Sequence, residues 1–152
     1  MKKARPKNNA CVISPKLVSS PPYDLWDFVS PRAENLIRRW ADTEKLSKAD
    51  RARLDNKIAV LKRDDFNLAI NTKLLNGPLR KDIYKLKVHG QVMMRPLLCR
   101  GPIERLSEYT FLSGAIERNG KLEPSTCLSD AGNNRETVLA DTKRRCKHEQ
   151  LA

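Results

Sequence analysis

Nowhere in the 152 residues is there a run approaching the roughly 20 apolar residues that a spanning helix needs. Charged residues make up 32% of the chain and apolar residues 39%, a balance that suits one modest core and is too polar for a membrane protein. The chain opens Met1-Lys2-Lys3, yet Arg5, Lys7, Asn8 and Asn9 stand where a secretory leader would be apolar, so no signal peptide is expected and the default address is cytoplasmic. Short paired cysteine spacings are missing too. Cys11, Cys99, Cys127 and Cys146 are far apart, which excludes the usual zinc module or dithiol motif and reads as reduced thiols. Cys146 and His148 alone supply too few ligands for a metal. The length leaves room for one domain and a tail rather than two domains.

Acidic residues are also scarce: eighteen Asp and Glu face thirty Lys and Arg, a formal net charge of +12. Such a surplus attracts polyanions, and nucleic acid is the leading partner class. It falls in two blocks. Residues 1–22 hold five cations and no acid, and residues 79–121 hold nine cations against four acids. The first block, with four prolines and no apolar periodicity, is expected to be a disordered basic arm, leaving 23–152 as a single domain.

Within that domain Tyr23 to Ser30 has strand composition. Ser30-Pro31 reads as a helix start, the helix running to about Glu44 with Ala33, Leu36, Ile37 and Trp40 as its buried stripe. Ser47 and Asp50 resemble a capping box opening a second helix to about Lys62, with Leu54, Ile58 and Leu61 inward. Phe66 to Leu75 has no decisive pattern, and Asn76-Gly77-Pro78 punctuates the chain. Ile83 to Val88, Val92 to Cys99 and Tyr109 to Ile116 then read as an antiparallel meander that ends at Asn119-Gly120. A last helix is expected from Asp130 to about His148, with Lys143, Arg144, Arg145 and Lys147 complementing its dipole. The fold class is α+β: an N-terminal strand and helical hairpin on a small antiparallel sheet, with a C-terminal helix.

In the strand Ile83-Tyr84-Lys85-Leu86-Lys87-Val88 the lysines alternate, so Lys85 and Lys87 share a face about 7 Å apart. Arg95 falls near them in one register of the next strand, and Arg118 leaves the third strand. Together these make either a cradle for a phosphodiester or an ordinary solvated face.

The element order, the run Tyr84 to Val88 followed by Arg95, and the stretch Tyr109, Gly114, Ile116, Glu117, Arg118, Lys121, Pro124 resemble the RelE/ParE superfamily of toxin-antitoxin toxins, in particular its phage-related, HigB-like members. The resemblance spans roughly Tyr23 to Arg145. It implies a RelE-like fold and a ribosome-dependent endoribonuclease that cleaves mRNA without metal or small-molecule cofactor and is silenced by a cognate antitoxin. It carries Lys85, Lys87, Arg95 and Arg118 over as catalytic residues: a lysine as base, the other cations on the phosphate. The ParE side of the superfamily implies instead a gyrase poison, and a non-catalytic basic interaction module is the third reading. The sequence departs from the pattern at Pro96, which suits an edge or a bulge, at Glu117 in place of a basic residue, and in having no tyrosine near the carboxyl end to act as acid. His89, in a turn, and His148, on the terminal helix, are the other proton carriers within view.

Overall fold

A computed structural model describes residues 20–152; most of the basic arm expected over 1–22 lies outside the described residues. The first strand, β1 (Asp24–Phe28), forms as its composition suggests. The first helix starts later than its sequence suggests. Ser30 Oγ accepts from the amides of Arg32 and Glu34, so the hydroxyl closes a turn instead of capping a helix. Asn35 does the capping, its side chain accepting from the Arg38 amide at 3.1 Å, and α1 (Leu36–Thr43) follows. Ile37 and Trp40 are buried as expected, while Ala33 sits exposed in the turn.

The second helix, α2 (Lys48–Arg63), is capped by Ser47, whose side chain accepts from the Asp50 amide, and it buries Leu54, Ile58 and Leu61. The stretch without a pattern becomes α3 (Phe66–Asn71) and β2 (Leu75–Arg80). Gly77, at φ +140°, and Pro78 lie inside β2, which is tolerated because β2 is an edge strand. The chain continues through β3 (Ile83–Leu86), β4 (Val88–His89), β5 (Met93–Arg100), β6 (Glu108–Arg118), β7 (Lys121–Glu123), α4 (Cys127–Ala140) and β8 (Arg145–Lys147).

The sheet order is β2-β3-β5-β6-β1-β8, with β4 added to β5 and β7 to β6. β1 runs parallel to β6 and every other pairing is antiparallel. One face carries the larger core, in which Ile37, Trp40, Leu54, Ile58, Leu61 and Ala69 of α1 to α3 meet Tyr84, Leu86, Val88, Met94, Leu98, Phe111 and Ile116. The other face carries a smaller core, where Cys127 and Ala131 of α4 meet Ile83, Leu97, Cys99, Leu112 and Ala115. The molecule is therefore α+β, with helices on both sides of a mixed sheet. The expected meander is present as β3/β4, β5 and β6, extended at both sides.

The terminal helix corrects the sequence reading. It stops at Ala140, and residues 142–144 form a single 3₁₀ turn before β8 pairs with β1. The basic residues there serve the sheet rather than the helix dipole. Arg145 and Lys147 lie over the Trp26 ring at 4.2 and 4.6 Å, a cation–π arrangement. Arg145 Nη1 also donates to Glu108 Oε2 at 2.6 Å, with both side chains buried. Glu108 keeps amide donors from Ile103 and Glu104, so losing the arginine leaves its carboxylate only partly unpaired. Arg145→Ala is expected to destabilise the fold by about 2 kcal/mol, read as a shift of the urea midpoint without a change in slope.

Candidate functional site

Side chains on a strand alternate between its faces, and this decides which predicted cations meet. Tyr84, Leu86 and Val88 enter the larger core, while Ile83 enters the smaller one. Lys85 therefore projects on the α4 side of the sheet. On β5, Leu97 and Cys99 belong to the smaller core, which places Arg95 on that same side. On β6, Leu112 is an extra residue: Leu97 pairs with Ser113 and Leu98 with Phe111. This bulge sets Ser113, Ala115 and Glu117 on the α4 side and Gly114, Ile116 and Arg118 on the other.

Three side chains from three adjacent strands thus converge. Glu117 Oε1 accepts from Arg95 Nε at 2.8 Å and lies 3.4 Å from Lys85 Nζ. Arg95 is 4% exposed, and its Nη1 donates to the carbonyls of Met94 at 2.9 Å and Val88 at 3.5 Å. The hydrogen bond from Arg95 holds the Glu117 carboxyl below the usual carboxylate range, against the opposing effect of burial and with help from Lys85. Glu117 is consequently ionised at neutral pH.

Lys87 lies one step along the same strand direction. The pairs Lys85↔Leu97 and Val88↔Met94 set Leu86 across from Pro96 and Lys87 across from Arg95. The Lys87 amide donates away from β5, to the Leu74 carbonyl at 3.0 Å, so by alternation the polar groups of Leu86 face Pro96. Proline has no N–H to return, and the ladder breaks there, separating β3 from β4. Pro96 therefore sits in an internal strand, not at the edge its chemistry suggests, and Arg95 keeps its register. Lys87 itself makes no ion pair among the described residues and lines a cleft with Lys57, Lys73 and His89.

Arg118 does not join the cluster. Following Glu117 directly, it leaves by the opposite face, where it pairs with Glu123 of β7 at 2.7 Å and lies 3.9 Å from Glu44. The structure thus brings Lys85 and Arg95 together on Glu117, lines a separate cleft with Lys87, and separates Arg118. The sequence marks Glu117 only as a departure from a pattern; the signal that could find it is its strand parity with Arg95.

Neither histidine belongs to the cluster. His89 is exposed at the end of β4. His148 follows β8 rather than riding a helix, and its Nδ1 contacts both carboxylate oxygens of buried Asp27 at 2.9 and 3.0 Å. Asn35 donates to Asp27 and to Cys146 Sγ, so this set fastens β8 to β1. Among the described residues no group of three or more His, Cys, Asp and Glu is placed to hold a metal ion, and no helix is long and apolar enough to cross a membrane. Cys99, Cys127 and Cys146 are free. Burial pushes the Cys99 thiol up to about 12 and raises Cys127 and Cys146, so none has thiolate character near neutral pH.

The turn beside the cluster is held from the helical side. Asp50 Oδ1 and Oδ2 accept from the amides of Gln91 at 3.0 Å and Val92 at 3.4 Å. Burial raises its pKa, but these bonds and Arg53 outweigh it and leave the carboxyl below its ordinary value. Gly90 allows the approach, since a Cβ there would collide with Asp50 Oδ1. Asp50 is thus both part of the helix start, as its spacing from Ser47 suggests, and the anchor of the β4–β5 turn.

No family model, curated protein or solved structure matches the chain.

Proposed function

We propose that the protein is an RNA-directed toxin of the RelE/ParE kind: a metal-independent endoribonuclease acting on mRNA at the ribosome and silenced by a cognate antitoxin. The observation that carries the reading is the meeting of Lys85 and Arg95 on one carboxylate, Glu117, at 3.4 and 2.8 Å. Cleavage through a 2′-hydroxyl needs a proton acceptor, stabilisation of the phosphorane charge and protonation of the leaving oxygen. An incoming phosphate competes with Glu117 for Arg95 and Lys85. The displaced carboxylate, ionised at neutral pH, is then the nearest acceptor for the hydroxyl proton. The Lys85 ammonium gives a proton to the 5′-oxygen as its bond to phosphorus breaks, and the proton on Glu117 restores the lysine 3.4 Å away. The cation set of this mechanism is Lys85 and Arg95; Lys87 and Arg118 have no part in it. Support for a RelE-like arrangement comes from β1 lying parallel beside β6 and from the helices α1 and α2 that follow it.

A second reading, a catalytically silent basic module that binds nucleic acid or protein, is favoured by one feature: Arg95 is 4% exposed and already has three partners. Pulse expression followed by transcript end-mapping separates the two. The toxin reading expects growth arrest with new transcript ends, abolished by Lys85→Ala and by Arg95→Lys, the latter chosen because it keeps a cation in a buried position. Intact transcripts with double-strand DNA breaks point to the gyrase-poison alternative. Intact transcripts without damage leave the silent module.

A further inference from the structure

The cations of this protein are unevenly neutralised. Arg39, Arg51, Arg53, Arg63, Lys85, Arg95, Arg105, Arg118, Arg135, Arg145 and Lys147 all have carboxylate partners. Of the cations with none among the described residues, Lys57, Lys73, Lys87 and His89 line one cleft of about 470 Å³, with Val60, Asp64, Thr72 and Leu74 completing it, whereas others, such as Lys45, Lys81 and Lys121, are exposed elsewhere. The single carboxylate there, Asp64, lies 3.2 Å from Arg63. Three unpaired ammonium groups therefore face a concave surface, an arrangement that concentrates anions.

The cleft is assembled from distant parts of the chain. Lys57 projects from the C-terminal half of α2, Lys73 follows α3, and Lys87 and His89 come from the broken strand where Pro96 interrupts the ladder. Lys73 sits at φ +63°, a left-handed conformation that glycine adopts freely and other residues rarely. A lysine at that helix end supplies a charge that the backbone geometry does not ask for.

We propose that this cleft, formed by α2, the segment after α3 and the strand around Lys87, binds the phosphate backbone of single-stranded RNA. The inference rests on the RNA reading above and names a second contact for the strand, apart from the Lys85–Arg95–Glu117 cluster. A cleft of this volume has the size of a small-ligand site, and the single strand is the form of RNA that the reading above takes as substrate. Lysine suits this role, since it meets phosphates as a flexible point charge without reading bases.

The test uses the full chain and a fluorescently labelled single-stranded RNA 12-mer, with affinity measured by anisotropy over a range of salt. Lys57→Glu, Lys73→Gly and their double variant are compared with Lys85→Ala. Lys73→Gly removes the charge at a position whose backbone favours glycine, so its melting temperature should be unchanged or higher. The double variant is expected to bind at least about tenfold more weakly, with the salt slope reduced by about 0.7 for each phosphate that is no longer neutralised. RNA bound by the double variant as by the parent, but not by Lys85→Ala, overturns the cleft and leaves the RNA reading standing. A parent chain that binds no RNA overturns both. Equal, Lys57- and Lys73-dependent binding of a duplex DNA or of polyglutamate overturns the assignment of the cleft to single-stranded RNA.

Discussion

Gly114→Ala is expected to lower the melting temperature by roughly 10 °C. A Cβ built at Gly114 would collide with Cδ2, Cγ and Cε2 of Trp40, so the indole is packed directly on the strand backbone. The ring cannot yield easily, because Trp40 is buried and belongs to the larger core with Ile37 and Ala41. Forcing a methyl into such a contact costs about 3 kcal/mol, and for a chain of this size each kcal/mol is worth about 3 °C. Calorimetry of Gly114→Ala, Trp40→Leu and the double variant closes a mutant cycle. The double variant should be more stable than the sum of the single losses by over about 1 kcal/mol, because leucine removes the atoms with which the new methyl collides. Additive losses would mean that the indole does not rest on Gly114. The consequence reaches the site, since Gly114 lies just beyond the β6 bulge that fixes which face Glu117 takes.

How much of this is legible in sequence depends on the range of the interaction that sets each feature. The second helix is readable because its cap, Ser47 with Asp50, and its stripe Leu54, Ile58 and Leu61 are local. The Gly90 turn is readable, but the register it imposes on β3 and β4 against β5 is left open by the sequence, because the turn is held by the distant Asp50. The start of α1 is ambiguous in sequence because a serine hydroxyl serves a turn as well as a helix, and Ser30 and Asn35 both stand in range. β8 has three residues and no periodicity of its own; it exists only because β1 offers an edge. β2 is hidden because only Leu75 of its six residues is buried.

The site shows the same division. Lys85 and Arg95 share a face by strand parity, whereas a third strand read as ending at Ile116 conceals the parity of its last two residues. The strand runs to Arg118, which puts Glu117 with Arg95 and sends Arg118 to the other side. Lys57 and Lys73 carry no local signal, because their meeting with Lys87 is purely tertiary.

Glu117→Gln should separate stability from binding, moving them in opposite directions. Glutamine keeps an oxygen for Arg95 but removes the charge that compensates a guanidinium only 4% exposed. Breaking such a pair from one side costs about 3 kcal/mol at neutral pH. The cost has a definite pH dependence. The Glu117 carboxyl is held below its ordinary value, so its contribution is complete above the unfolded glutamate pKa of about 4.3 and is lost as pH falls through the lower folded value. Urea midpoints of parent and Glu117→Gln should therefore converge on acidification below about pH 4 and diverge above it. A constant offset across that window would show that Arg95 is not the charge partner. RNA affinity should move the other way: with the carboxylate gone, Lys85 and Arg95 no longer exchange one anion for another, so a single-stranded RNA binds several-fold tighter at neutral pH. Cleavage should nevertheless fail, because the neutral amide cannot accept the 2′-hydroxyl proton. Tighter binding with cleavage intact would assign the base elsewhere. Unchanged affinity would place RNA away from this face altogether and leave Glu117 as a purely structural counter-ion.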